Sequence, residues 1–342
     1  MTSARVAVHS PGRVNIIGDH TDYAGGLALP CAIDLGVSIT GHTDDERIEL
    51  RSETLDGIVS FPIDAPPAIA SIEPRWGRHV AAVAAELSAR TGLVGRIDST
   101  LPVGAGLSSS AAFDVALALA LGDDRPRMEL ARLAQRAETT AVGVPCGFLD
   151  QMSVVFGRVD HAMLIDFSDD TFEQVPFPED LVIWILHSGQ ERELADSQYA
   201  ERRRSCEIAT ERIGPLATSS IADLEVLDGD VRRRARHVIT ECERVRLAAA
   251  ALRDGDPVRL GELMVESHAS LRDDFDVSTA ILDDLVARLL AIPGVHGARL
   301  TGAGFGGCVV ALCERESVTD PSELTGRGWL VRPANGAHRM TD

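Results

Sequence analysis

One stretch constrains this chain more than any other: residues 101–112, which read LPVGAGLSSSAA. Gly104 and Gly106 leave the backbone without side chains, and serines 108–110 supply hydroxyl donors and helix-capping groups before an Ala- and Leu-rich run. A glycine turn that leads into a helix N-terminus brings free backbone N–H groups and the positive end of the helix dipole together at one point. The pattern therefore predicts an anion site, and we interpret the anion as a nucleotide phosphate.

The charged residues limit which partners the protein can bind and which groups can hold a phosphate. The 33 basic residues are all arginine and face 52 acidic residues, for a formal net charge of −19. Nucleic acid is excluded as a partner, because binding its phosphate backbone needs a basic face. The lack of lysine excludes a Walker-type lysine, a Schiff base and a lysine general base, so a phosphate clamp must use backbone, arginine or a metal ion.

Length and signals bound the class of protein. At 342 residues the chain is expected to form two domains, with the junction in the acidic, proline-containing segment 168–180. No apolar run reaches the roughly 18 residues of a membrane helix, and residues 1–13 lack the apolar core of a signal peptide. The six cysteines form no Cys-x-x-Cys pair. We therefore expect a cytoplasmic protein with reduced thiols and no membrane partner. The sequence does not set the oligomeric state, and our expectation is a monomer.

Hydrophobic periodicity indicates a mixed α and β chain. The predicted strands cover residues 6–9, 27–40, 95–101, 162–167, 181–186 and 309–312, with a hairpin over 47–61. The predicted helices cover residues 76–88, 111–121, 127–140, 231–252, 257–274 and 279–292. Arginines 202–204 are expected on a solvated helix face. The glycines of residues 302–307 precede a strand, which is the wrong order for a dinucleotide-binding fingerprint, and predict a tight bend or a close backbone approach.

Two places in the sequence with acidic residues are candidates for function. Asp19, His20 and Asp22 lie in a segment threaded by apolar residues, and buried polar groups need hydrogen-bonding partners. A polyhydroxylated ligand would supply them; the alternatives are a capped turn with solvated carboxylates and, less favoured, a metal site. Asp150 stands between Leu149 and Gln151-Met152, and a partly buried carboxylate there is either functional or a helix N-cap.

Several segments together resemble a known family. Residues 11–26, PGRVNIIGDHTDYAGG, are similar to the galactokinase signature, and residues 101–112 to the phosphate loop of the GHMP kinases. Residues 142–151, 262–274 and 301–308 resemble further motifs of the same group, in the same order. The chain therefore resembles the GHMP kinases and, within them, the galactokinase family, along nearly its whole length.

The resemblance implies an α+β GHMP kinase fold in two domains. Residues 1–170 would form an N-terminal domain like the second domain of ribosomal protein S5, carrying the phosphate loop and the sugar signature. Residues 171–342 would form a ferredoxin-like C-terminal domain, with the active site in the cleft between the two. The implied reaction is transfer of the ATP γ-phosphoryl group to the anomeric hydroxyl of a galactose-type sugar, with Mg²⁺ as the metal.

The family's catalytic roles fall on identifiable residues. Asp150 corresponds to the catalytic carboxylate, as a general base or a positioning group, and Arg13 to the arginine beside it and the γ-phosphate. Ser109 or Ser110 and Glu138 match the positions associated with Mg²⁺, whose hard charge suits oxygen ligands. Trp76 matches an aromatic residue that flanks adenine, although Arg78 and His79 depart from the usual pattern and a core tryptophan is the alternative. The ATP-binding residues implied are Trp76, Gly104, Ala105, Gly106, Leu107, Ser108, Ser109 and Ser110.

The sugar contacts implied are Asp19, His20, Asp22, Gly147 and Tyr199. The family's glutamate is Asp19 here, shorter by one methylene, and that glutamate contacts the C6 hydroxyl of the sugar. Alternatives to galactose are therefore other galacto-configured sugars: L-arabinose, galacturonate or N-acetylgalactosamine. A non-catalytic sugar sensor is disfavoured because serines 108–110, Asp150 and Arg13 are all present. Mevalonate and homoserine are disfavoured by the polarity of residues 19–23.

Overall fold

The described residues form two β-sheets, and strands from near both ends of the sequence belong to the first. The computed structural model describes residues 3–102, 104–144, 146–190, 195–317 and 322–341. Val103 and Pro145, inside two of the motifs above, lie outside the described residues. The strands are β1 (Arg5–Ile17), β2 (Leu27–Asp44), β3 (Arg47–Ser52), β4 (Ile58–Pro62), β5 (Gly92–Ser99), β6 (His161–Asp166), β7 (Thr171–Pro176), β8 (Leu181–His187), β9 (Val295–Thr301), β10 (Cys308–Glu314), β11 (Gly328–Val331) and β12 (His338–Arg339). The helices are α1 (Gly77–Leu87), α2 (Ser109–Ala120), α3 (Arg127–Val142), α4 (Leu149–Phe156), α5 (Ala195–Ile213), α6 (Gly229–Asp254), α7 (Pro257–Asp273), α8 (Ala280–Leu290) and α9 (Ser322–Thr325). In these ranges no helix has the length and apolar character needed to cross a bilayer.

The first sheet holds the predicted phosphate loop against β1. Its order is β12-β1-β2-β5-β3-β4, with β6 paired to β2 and β7 paired to β6. The described pairs are antiparallel except β3 with β5. Helix α2 packs across β1 and β2 and is buried over most of its length, as its Ala- and Leu-rich sequence predicts. The loop that precedes α2 is thereby set beside the first strand.

The second sheet is antiparallel and has the order β11-β8-β10-β9. Every residue of β8 is buried, in keeping with its continuous apolar run. Helices α7 and α8 pack on β9. The glycine-rich residues 302–307 connect β9 to β10, so the prediction that a strand follows these glycines is confirmed.

The structure adds strands that the pattern did not predict. Strand β1 continues from the predicted residues 6–9 to Ile17. Strand β7 lies within the acidic segment 168–180, where its alternation is mostly exposed and polar. Strand β12 has only two residues, and it pairs with β1 through Val8 with Arg339 and His9 with His338. The expected domain boundary at residue 170 falls between the paired strands β6 and β7, and it stays a prediction.

The expectation of a solvated face for arginines 202–204 is wrong for Arg202. That side chain is buried, and its guanidinium donates to the carbonyl oxygens of Phe275 and Asp276, each at 2.9 Å. Arg203 is half-buried with its guanidinium over the Tyr23 ring, and Arg204 is exposed. Carbonyl groups that come from a distant part of the chain decide this outcome, and a charge run cannot reveal them.

Candidate active site

Three residues of the phosphate loop have left-handed backbone conformations. Gly104 and Gly106 have φ angles of 76° and 74°, which glycine adopts without strain, and Ser108 has φ of 59°. The Ser108 side chain does not cap α2, so the expectation of a cap is wrong there. Its Oγ donates to Asp150 Oδ2 at 2.5 Å. The first N–H groups of α2 consequently donate no hydrogen bond to this serine, and Ser109 is exposed beside them.

Arg13 joins the phosphate loop to Asp150. Its Nε donates to Asp150 Oδ1 at 2.8 Å, and Nη2 lies 2.5 Å from the same oxygen. Its Nη1 donates to the carbonyl oxygen of Gly106 at 2.8 Å. Close packing of β1 on the loop makes this possible, since a Cβ on Gly12 would lie 2.7 Å from the Leu107 carbonyl oxygen. Asp150 side-chain exposure is 30%, so the carboxylate remains accessible to a ligand.

Glu138 and Ser110, two of the predicted metal ligands, are in direct contact. Ser110 Oγ donates to Glu138 Oε1, and Gln151 Nε2 donates to Oε2 at 2.5 Å. Burial, together with the charges of Asp114 and Asp150, raises the pKa of Glu138 to about 7. A cation bound beside this buried carboxyl would favour its ionised form, which is the form that binds a metal ion. Within the described ranges, no group of three or more His, Cys, Asp or Glu side chains could hold a metal alone, and Mg²⁺ usually completes its shell with phosphates and water.

The sugar signature meets the segment before α4 at Asp22 and Gly147. A Cβ on Gly147 would overlap the Asp22 carboxylate, so a larger residue at position 147 would displace that carboxylate. Gln135 on α3 fixes the segment by donating to the carbonyl oxygen of Gly147 at 3.1 Å. Burial raises the pKa of Asp22 to about 6, and the charge of Asp150 adds to this effect.

Aromatic rings surround His20 on the same side. His20 lies 5.7 Å from Tyr199 and 4.6 Å from Phe275 between ring centroids, and its Nδ1 lies 3.0 Å from the Tyr23 hydroxyl. Burial lowers the pKa of His20 to about 3, so the ring is neutral at pH 7. A neutral imidazole and a tyrosine hydroxyl are hydrogen-bonding groups suited to an uncharged polyol.

The Asp19 carboxylate is held by a different set of groups. Its Oδ1 accepts from the backbone N–H of Gly302 at 2.9 Å, and its Oδ2 lies 2.5 Å from Nη2 of Arg299. Arg299 is fully buried and also donates to the carbonyl oxygen of Ile16 at 3.2 Å. The Asp19 carboxylate therefore joins the sugar signature to the β9–β10 connection.

A cavity of about 330 Å³ lies beside the phosphate loop. Trp76, Phe113, Ser109 and Ser110 are on its wall, and the Trp76 and Phe113 rings meet edge to face at 6.2 Å. The Trp76 indole donates to the carbonyl oxygen of Asp56 at 3.1 Å. A mostly apolar cavity that opens onto a phosphate loop fits the base and sugar of a nucleotide.

The comparisons with known proteins agree with this geometry. The galactokinase galactose-binding signature matches residues 2–42, the GHMP kinases N terminal domain matches 77–158, and the GHMP kinases C terminal domain matches 248–320. A galactokinase of Roseiflexus sp. is 39% identical over 98% of this chain and 93% of its own. The chain belongs to the galactokinase family. A Thermococcus kodakarensis member is likewise 39% identical, over 96% of this chain and 98% of its own.

A solved structure of the galactokinase family matches the fold. The crystal structure of Lactococcus lactis galactokinase complexed with galactose superposes with a TM-score of 0.87 at 30% identity, over 98% of this chain and 95% of its own. Family membership confirms the resemblance, the two-domain GHMP kinase fold and the class of enzyme, a phosphotransferase.

Most predicted site residues lie together in this galactokinase-family structure, and some important neighbours were not predicted. Arg13, Ser108 and Asp150 form one cluster, and Ser110 with Glu138 another. Arg299, Phe275 and Gln135 were missed. Only Arg299 left a signal, as a lone charge between Ala298 and Leu300 in an apolar run.

Proposed function

We propose that this chain transfers the γ-phosphoryl group of ATP to the C1 hydroxyl of D-galactose, giving ADP and galactose 1-phosphate. The observation that carries the proposal is the Arg13–Asp150 contact, 2.8 Å from Nε to Oδ1, at the point where the phosphate loop meets the sugar signature. The galactokinase names of the relatives agree with it.

Asp150 is the group that receives the acceptor proton. Its Oδ1 is held by Arg13 and its Oδ2 by Ser108, while Asp22 and Gly147 lie nearby on the sugar side. As the C1 oxygen bonds to the γ-phosphorus, its proton passes to Asp150, and the bond from phosphorus to the β-γ bridging oxygen breaks to release ADP. The carboxylate therefore both orients the hydroxyl and takes up its proton.

Arg13 compensates the negative charge of Asp150 and of the transferred phosphoryl group. Its guanidinium contacts the Asp150 carboxylate and the carbonyl oxygen of Gly106 in the phosphate loop. A fixed cation between the loop and the carboxylate stabilises charge that spreads over the transferred phosphoryl oxygens. No lysine is present to share this role.

The same geometry supports the proposal that ATP and Mg²⁺ bind here. The backbone of residues 104–108 and serines 109 and 110 would bind the phosphates at the start of α2, and Trp76 would flank the adenine. Glu138 and Ser109 or Ser110 would hold Mg²⁺, which neutralises phosphate charge when bound. The Ser110–Glu138 contact and the raised pKa of Glu138 support this choice.

The sugar would be bound by Asp22, His20, Gly147 and Tyr199. Asp19 supports a second candidate, another galacto-configured sugar such as L-arabinose, galacturonate or N-acetylgalactosamine, because its Oδ2 is buried against Arg299. A carboxylate committed to protein groups is a weak selector for a C6 hydroxyl. A monomeric state and a cytoplasmic location remain part of the proposal, and the free thiols of Cys31, Cys146, Cys206, Cys242 and Cys313 agree with that location.

The test is a measurement of product identity. Purified protein is incubated with Mg·ATP and D-galactose, and the product is examined by phosphorus NMR. A sugar phosphate at C1 is the expected result. A product phosphorylated at another carbon, or ADP release that does not depend on sugar, would contradict the proposal.

A further inference from the structure

One buried carboxylate beside the phosphate loop has no role in the mechanism above. Asp114 lies on α2 among apolar residues, and its side chain is 0% exposed. Its partner is His79 on α1, whose Nδ1 lies 2.9 Å from Oδ1 and 3.1 Å from Oδ2. An unpaired buried carboxylate is costly, so the contact explains how Asp114 is tolerated.

The position of His79 points to a ligand as well. Asp114 is one helical turn after Ser110, so its contact with His79 places the imidazole beside the first turn of α2. His79 lines the cavity together with Trp76 and Ser110, and 17% of its side chain is exposed. Because Nδ1 contacts Asp114, Nε2 is the ring nitrogen left for a ligand in the cavity that His79 lines.

We propose that His79 is a further phosphate-binding residue, which donates from Nε2 to a phosphate oxygen of the nucleotide. The inference rests on the proposed function, since it requires ATP in this cavity. In a chain without lysine, the cations beside this cavity are arginines and this histidine. Arg78, the neighbour on α1, donates instead to the carbonyl oxygen of Ile72 and to Glu73.

The direction of the His79 pKa shift agrees with donation from both ring nitrogens. Burial lowers the pKa of His79, but the charge and hydrogen bond of Asp114, with a further contribution from Glu138, outweigh burial and raise it. The imidazolium would then neutralise Asp114, which otherwise would repel phosphate, and would present a charge-assisted donor to the ligand.

The competing explanation is that His79 only neutralises Asp114. The two explanations differ in how binding depends on the number of phosphates. A phosphate contact strengthens ATP and ADP binding and leaves adenosine unaffected. A purely structural role changes protein stability and leaves the ligand series unchanged.

Calorimetric titration of adenosine, AMP, ADP and ATP in EDTA tests the inference without catalysis or metal. The variants are His79→Leu and, as a matched control, His42→Leu at an exposed histidine of the first sheet. For His79→Leu we expect ATP and ADP affinity to fall about 10-fold or more, the size of one charge-assisted hydrogen bond, while adenosine affinity stays within about twofold. His42→Leu should leave all four affinities unchanged.

A second variant covers the case in which His79→Leu does not fold. The double variant His79→Leu/Asp114→Leu replaces the pair with apolar residues of similar volume, which proteins often tolerate, and it should show the same loss for ATP and ADP. An equal loss for all four ligands, or no loss, would overturn the inference. If the wild-type protein binds no ATP at all, the proposed function itself fails along with it.

Discussion

Arg299 and Asp19, 280 residues apart in the sequence, form a buried ion pair with 2.5 Å between Nη2 and Oδ2. The pair joins the sugar signature after β1 to the glycine-rich connection between β9 and β10. Side-chain exposure is 0% for Arg299 and 7% for Asp19. The residue that differs from the family's glutamate is therefore a link between the two sheets of the molecule.

This pair should contribute strongly to stability. Arg299→Met leaves a buried carboxylate without its cation, so the free energy of unfolding should fall by about 3–5 kcal/mol. The double variant Asp19→Val/Arg299→Met should lose less than the sum of the two single variants. Urea denaturation measures both, with Arg233→Met at an exposed ion pair as the control that should change little. Strictly additive losses would show that the two side chains do not interact.

Asp19 should also determine how strongly the site selects at C6. Asp19→Glu lengthens the side chain by one methylene and restores the glutamate that is implied, by the family resemblance, to contact the C6 hydroxyl. We expect the ratio of kcat/KM for D-galactose over L-arabinose to rise about 10-fold or more, because a site that hydrogen-bonds a hydroxyl rejects analogues lacking it. Steady-state rates with the two sugars measure this ratio. An unchanged ratio would show that Asp19 does not determine selection at C6.

Asp22 should make the stability of the ligand-free protein depend on pH. Its pKa is raised from 3.8 to about 6 in the folded protein. Such a group contributes stability that is present below pH 3.8 and is lost as the pH rises through about 6. Asp22→Asn should therefore gain stability over the wild type between pH 4.5 and pH 7.5, as measured by urea denaturation. Asp64→Asn, an exposed carboxylate, should show no such trend. A difference that does not vary with pH would contradict the raised pKa.

The local features of the site could be predicted from the sequence because each of them depends on residues that are close together in the chain. The glycines and serines of residues 104–110 are enough to predict an anion site, and they lie at the start of α2 as expected. The buried segment that carries His20 and Asp22 was indicated by its mixture of apolar and polar residues. The family motifs added the link between Arg13 and Asp150, which are 137 residues apart.

The long-range contacts could not be predicted in this way. Arg202 is buried by carbonyl groups of residues 275 and 276, and Arg299 by Asp19 and Ile16. Strand β12 forms only because β1 offers an edge to two residues near the end of the chain. The helix cap expected of Ser108 was displaced by Asp150, which comes from a different helix. In each case the deciding partner is distant in sequence and carries no local pattern.

Sugar-dependent ADP release by the wild type and by Asp150→Asn shows whether this chain is a sugar kinase that uses Asp150. A coupled assay is run with D-galactose, L-arabinose, galacturonate and N-acetylgalactosamine, and calorimetry confirms that the variant still binds ATP. Asp150→Asn keeps the shape of the side chain and loses the proton acceptor, so kcat should fall by about 10²–10⁴-fold. We expect rapid turnover of D-galactose by the wild type and this loss in the variant. This expectation is contradicted if the wild type turns over none of these sugars faster than Asp150→Asn does.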